Sequence, residues 1–76
     1  MPAHEPPPLS PRQLGCLRLA ARGLTSPQIA AALGMSARTV NQRIAEACVR
    51  LGVRTRIEAV VKAVRMGLIA DETSAG

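Results

Sequence analysis

Seventy-six residues with no phenylalanine, tyrosine or tryptophan, and with ten basic against five acidic side chains, allow one small domain with an aliphatic core. The two cysteines, Cys16 and Cys48, lack the paired spacing of a zinc site and lie far from the single His4, so they read as small buried hydrophobes in a reducing compartment. The chain offers no nucleophile–base pair, no carboxylate pair placed for catalysis, no glycine-rich phosphate loop and no metal cluster, which excludes an enzyme and leaves no role for a cofactor.

The charge is concentrated in the middle of the chain. All ten basic residues lie between Ser10 and Leu68 and face only Glu46 and Glu58 there, an excess of eight positive charges that points to a polyanion. High charge that merely keeps a small protein soluble is the alternative. The missing aromatic rings argue for a duplex, because proteins that hold single strands usually stack the bases on such rings. The opening residues contain no apolar stretch for a signal peptide or a membrane anchor, so a cytoplasmic, nucleoid-associated protein without a membrane partner is expected.

In chain order, a leader (1–8) rich in proline and a short polar tail (70–76) are expected to be disordered, leaving a domain over 9–69. Ser10, Pro11 and Gln13 make a capping box with proline at the first helical position, and Leu9 and Leu14 occupy hydrophobic-staple positions. This first helix is predicted to run to Arg22 and stop at Gly23, with Gly15 inside it at a cost of about 1 kcal/mol. Ser26-Pro27 predicts a second, two-turn helix that stops at Gly34. Ser36 opens a third, with Met35 and Val40 as its staple, which ends at Gly52 after Leu51. Thr55-Arg56-Ile57-Glu58 is another capping box, and Gly67 closes the fourth helix. No segment alternates in the strand manner, so the fold class is all-α, with four helices.

Only Gly34, Met35 and Ser36 separate the second and third helices, and so short a turn sets them at a steep angle, the helix-turn-helix arrangement. The second member of such a pair, here 37–51, enters the major groove. Val40, Ile44, Ala47, Cys48 and Leu51 form its core stripe. Arg38, Gln42, Ala45 and Val49 lie opposite, bordered by Asn41 and Glu46 on one side and by Thr39, Arg43 and Arg50 on the other. Asn and Gln can pair with adenine and Ala can touch a thymine methyl, so Asn41, Gln42 and Ala45 are the candidates for base contact. A solvated face without a partner is the alternative.

Phosphate contacts are assigned to Arg38, Thr39 and Arg43 on this helix, to Thr25 and Ser26 at the start of the second, and to Arg54 and Arg56 at the start of the fourth. Thr25 and Ser26 can equally be caps. Two cations at a helix start oppose its dipole, a conflict that a phosphate would remove. The fourth helix carries Ile57, Val60, Val61, Val64 and Leu68 on one side, extended by Ala59 and Ala63. That arc exceeds one packing contact, so Val61, Val64 and Leu68 are the candidates for a homodimer interface, against a fully buried closing helix.

Leu9-Ser10-Pro11-Arg12, Gly23-Leu24-Thr25-Ser26, Gln28-Ile29-Ala30, Leu33-Gly34-Met35-Ser36, Thr39-Val40, Leu51-Gly52-Val53-Arg54-Thr55-Arg56, Glu58-Ala59-Val60 and Gly67-Leu68-Ile69 together resemble the LuxR-type helix-turn-helix domain. The resemblance implies a four-helix DNA-binding domain that reads duplex DNA with its third helix and dimerises through its fourth. It places base contacts on Asn41, Gln42 and Ala45 and phosphate contacts on Thr25, Ser26, Thr39 and Arg43. Such domains usually follow a receiver or ligand-binding domain. Only eight residues precede Leu9, so a stand-alone small regulator or a piece of a larger one is expected.

The function expected is therefore bacterial transcription regulation through duplex DNA, as a homodimer. The alternative is a protein-interaction module that controls another regulator or RNA polymerase, favoured by Val49 and the spare apolar arc. A sigma-factor piece is a third reading, disfavoured by the fourth helix and the link from Gly52 to Arg56.

Overall fold

Four hydroxyl side chains open four helices: Ser10 opens α1 (Pro11–Ala21), Thr25 opens α2 (Ser26–Leu33), Ser36 opens α3 (Ala37–Leu51) and Thr55 opens α4 (Arg56–Arg65). The computed structural model describes residues 8–70, and no strand occurs among them. Apart from Pro8 and Ala70, the expected leader and tail lie outside the described residues.

One start differs from expectation. The cap of α2 is Thr25, not Ser26, because Gln28 stands three residues after Thr25 and closes a capping box with it. The Thr25 amide donates to Gln28 Oε1 at 2.9 Å, and the Gln28 amide donates to Thr25 Oγ1 at 3.4 Å. A cap at Ser26 would have faced Ile29, which cannot return the bond. The shift frees the Ser26 hydroxyl for other use. The fourth helix ends with Met66 as its cap, and Gly67 follows it in the left-handed conformation, φ 74°.

The third helix packs against each of the other three, and α1 also packs on α2 and α4. Its predicted stripe, Val40, Ile44, Ala47, Cys48 and Leu51, is wholly buried. Leu9, Cys16, Leu17 and Ile29 complete the centre of the core with Ala59, Ala63 and Ile69. The chain ahead of α1 is anchored too, as Arg50 Nε donates to the Pro8 carbonyl at 2.8 Å.

The apolar arc of α4 divides along a different line from the expected one. Ala59 and Ala63 are fully buried at its centre, while Val60, Val64 and Leu68 are half-buried and pack on the core. Ile57 and Val61 are left 76% and 44% exposed. The small side chains at the centre of the buried face let the helix backbones approach closely.

Gly15 has room for a side chain. A Cβ there would meet Leu33 Cδ1 at 3.6 Å, an ordinary van der Waals distance against the end of a flexible side chain. Gly15→Ala is therefore expected to stabilise the fold by about 0.5–1 kcal/mol through helix propensity. In thermal unfolding followed by circular dichroism this is a rise in Tm of roughly 2–8 °C. A lowered Tm would mean that the α1 crossing requires glycine.

Candidate nucleic-acid interface

The turn between α2 and α3 decides where α3 points. Gly34 adopts the left-handed conformation, φ 69° and ψ 36°, and its amide donates to the Ala30 carbonyl. The Met35 amide bonds the same carbonyl at 3.0 Å, and Ser36 then caps α3. A Cβ at Gly34 would be sterically free but conformationally strained, so glycine serves the turn and not a contact.

Held by this turn, α3 exposes Arg38, Asn41, Gln42 and Ala45 over its first turns, with Glu46 and Val49 beyond. Val49 is 79% exposed. The Arg38 guanidinium has no ion pair or hydrogen bond among the described residues, and the same holds for that of Arg54. Thr39 is half-buried, and its Oγ1 accepts from Ser36 Oγ at 2.9 Å, which leaves the Thr39 hydroxyl proton available.

Besides Thr25 and Thr39, three more of the expected phosphate-contacting residues have internal partners. Arg56 turns from α4 toward the start of α2, where Nη1 donates to Ser26 Oγ at 2.9 Å and Nη2 to the Leu24 carbonyl at 2.9 Å. Ser26 Oγ in turn donates to Asn41 Oδ1 at 2.6 Å. Arg43 pairs with Glu46 at 3.2 Å, and Gln13 Nε2 donates to the other Glu46 oxygen at 3.2 Å. Glu46 therefore neutralises a cation of α3 and ties that helix to α1.

The start of α4 is satisfied internally as well. Glu58 Oε1 accepts from the Arg54 amide at 3.3 Å, the Thr55 amide at 3.0 Å and the Thr55 hydroxyl at 3.0 Å. Two arginines at a helix start thus need no phosphate to balance the dipole: a carboxylate sits there, and one guanidinium has turned away. At the other end of α3, Lys62 Nζ caps the Leu51 carbonyl at 2.8 Å. Cys48 Sγ contacts the Thr55 carbonyl at 3.6 Å. Burial pushes both thiols up, against the pull of Arg43 and Arg56 at Cys16 and assisted by Glu58 at Cys48, so they stay protonated and unreactive at neutral pH.

Of the candidate dimer residues, only Val61 is exposed. Val64 and Leu68 are half-buried against the core. The open face is a shallow apolar groove lined by Val53, Ile57, Val61 and Met66, with Lys62 and Arg65 at its edge.

Residues 7–63 match the GerE model of bacterial regulatory proteins, luxR family. The chain belongs to this family. The transcriptional activator proteins AnoR of Acinetobacter nosocomialis and VanR of Vibrio anguillarum are each 38% identical to it over 61 residues, 80% of the chain. AhyR of Aeromonas hydrophila is 36% identical over the same length. The chain spans about a quarter of the length of these relatives. The solved structure of the transcription factor GerE superposes with a TM-score of 0.84 at 25% identity, covering 88% of this chain and all of that one.

Family membership makes the chain a LuxR-type helix-turn-helix domain of the DNA-binding, non-enzymatic class. No helix of the described residues is long and apolar enough to cross a membrane. Within this LuxR-type domain, sequence reasoning missed the link from Arg56 through Ser26 to Asn41, whose members are 30 and 15 residues apart and share no periodicity. The Arg43–Glu46 pair carried a legible signal, the i,i+3 spacing on one helix.

Glu58 gives the domain an acid-sensitive point. Its hydrogen bonds from the Thr55 hydroxyl, the Thr55 amide and the Arg54 amide hold the carboxyl below its ordinary value of 4.5. Folding thus favours the charged form. The stabilisation is present above the ordinary value and fades as pH falls through the depressed native value. Glu58→Gln should be less stable than the parent at pH 7, and the gap in Tm should close on acidification below about pH 4. A gap that stays constant with pH would show that the carboxylate charge contributes nothing to the cap.

Proposed function

We propose that this LuxR-type domain is the duplex-binding part of a bacterial transcription regulator, reading the major groove with α3 and pairing with a second copy through α4. One observation carries the reading. The helix after the tight turn exposes Arg38, Asn41, Gln42 and Ala45 together, and the Arg38 and Arg54 guanidiniums are unpaired among the described residues. Polar amides of that kind match base edges, and free guanidiniums match phosphates. Thr39 adds a hydroxyl donor. Activation of transcription, which the names of the relatives carry, is proposed for whatever protein contains this domain.

The exposed Ile57–Val61 strip supports the dimer, because it is apolar, contiguous and on the surface of α4. A twofold pairing there fits reading helices about 34–36 Å apart, one duplex turn. A protein-interaction module that acts on another regulator or on RNA polymerase is the second reading. Val49, bare at the far end of the α3 face beside the neutralised Arg43–Glu46 pair, favours it.

Binding to a duplex should weaken steeply with salt, and Arg38→Ala and Arg54→Ala should each lower the salt slope by about one unit. Gln42→Ala should cost about 1–3 kcal/mol and relax preference at one base pair. Salt-insensitive capture of a protein, with no duplex selected from a random pool, would replace this reading with the second. Val61→Asp or Ile57→Asp should halve the mass in sedimentation equilibrium and leave the helical circular dichroism of the folded chain unchanged; an unchanged mass would remove α4 as the pairing face.

A further inference from the structure

The bonds that join Arg56, Ser26 and Asn41 determine what the reading helix offers to a base. Arg56 Nη1 donates to Ser26 Oγ at 2.9 Å, so the hydroxyl oxygen is an acceptor there. Its one proton then goes to Asn41 Oδ1 at 2.6 Å. The opposite amide orientation would make Ser26 Oγ accept from two N–H groups and leave its own proton to solvent. The guanidinium also polarises the hydroxyl and strengthens its bond to Asn41. A second guanidinium bond, from Nη2 to the Leu24 carbonyl at 2.9 Å, fixes Arg56 itself.

We propose that Arg56 and Ser26 are positioning residues that hold the Asn41 carbonyl toward α2 and leave its NH2 group as the end presented to DNA. Asn41 is exposed, so that NH2 is free to meet a base. Adenine recognition by Asn requires a donor to N7 and an acceptor for the N6 amine. With Oδ1 turned toward Ser26, the end of Asn41 that faces away from α2 is its NH2 donor. The base edge that suits two N–H donors is guanine, with N7 and O6 both acceptors. Asn41 is therefore a guanine reader in this domain, and adenine pairing falls to Gln42, whose amide has no internal partner among the described residues. The proposal differs from the adenine role expected for Asn41 from residue type. The inference rests on the duplex reading proposed above.

The test uses the whole chain and reads a ratio, which cancels any uniform change in affinity. Sites selected from a random duplex pool by the parent and by Asn41→Ala identify the base pair whose preference depends on Asn41. Affinities are then compared for duplexes that differ only there. The parent should prefer guanine to adenine about tenfold. Ser26→Ala should erase most of that ratio while leaving the ratio at the Gln42-dependent pair intact, and Ser26→Thr, which keeps the hydroxyl, should restore it. Arg56→Gln should act in the same direction as Ser26→Ala.

A guanine preference that survives Ser26→Ala overturns the relay and leaves the duplex reading standing. A parent preference for adenine at that pair overturns the orientation assigned to the amide. Failure of the parent to select any site overturns the readout together with the duplex reading. The relay in the free protein is separately visible in the side-chain amide 1H–15N signals of Asn41. Those signals should shift in Ser26→Ala and return in Ser26→Thr, and signals indifferent to both would overturn it.

Discussion

One helix carries two incompatible demands. Between Ala37 and Leu51, α3 must bury Val40, Ile44, Ala47, Cys48 and Leu51 against three neighbours while keeping the opposite side polar and accessible. A fifteen-residue helix has just over four turns, so the two faces share borders and every border residue must be assigned to one use. Arg43 and Thr39 are such residues. Arg43 is drawn to Glu46, and Thr39 completes the cap with Ser36. The accessible face is consequently narrow, and its useful chemistry sits in the first half of the helix.

The other three helices make that arrangement hold. The first contributes Cys16 and Leu17 to the core, and Gln13 bonds Glu46. The second begins at Thr25 and so releases Ser26 for Asn41. The fourth sends Arg56 to Ser26 and Lys62 to the end of α3. The polar links across the surface run to α3 or to its immediate supports, and one of them, from Lys62, starts at the edge of the apolar groove on α4. A surface that could pair with another copy is thus tied at one point to the helix that could read a duplex.

The helix count, the turn at Gly34 and the buried stripe of α3 were legible because each depends on local chemistry or on a single periodicity. Capping boxes and glycine stops are written within four residues. The start of α2 was off by one because Thr25 and Ser26 are both good caps, and only Gln28 three places after Thr25 distinguishes them. The division of the α4 arc was not legible, because periodicity puts Val61, Val64 and Leu68 on one side without saying where the core ends; Val64 and Leu68 pack on it and Val61 does not. The partners of Arg56 and the orientation of the Asn41 amide were not legible. They arise from three segments brought together by the fold, and no spacing in the chain encodes them.

Ala47 on α3 and Ala59 and Ala63 on α4 are all fully buried. Alanine has no side-chain torsion to adjust, so a crossing built on it cannot absorb a displacement by switching rotamers. A larger side chain at any of the three would therefore have to move helix backbone rather than a neighbouring rotamer, so these alanines set how near α4 lies to the rest of the core.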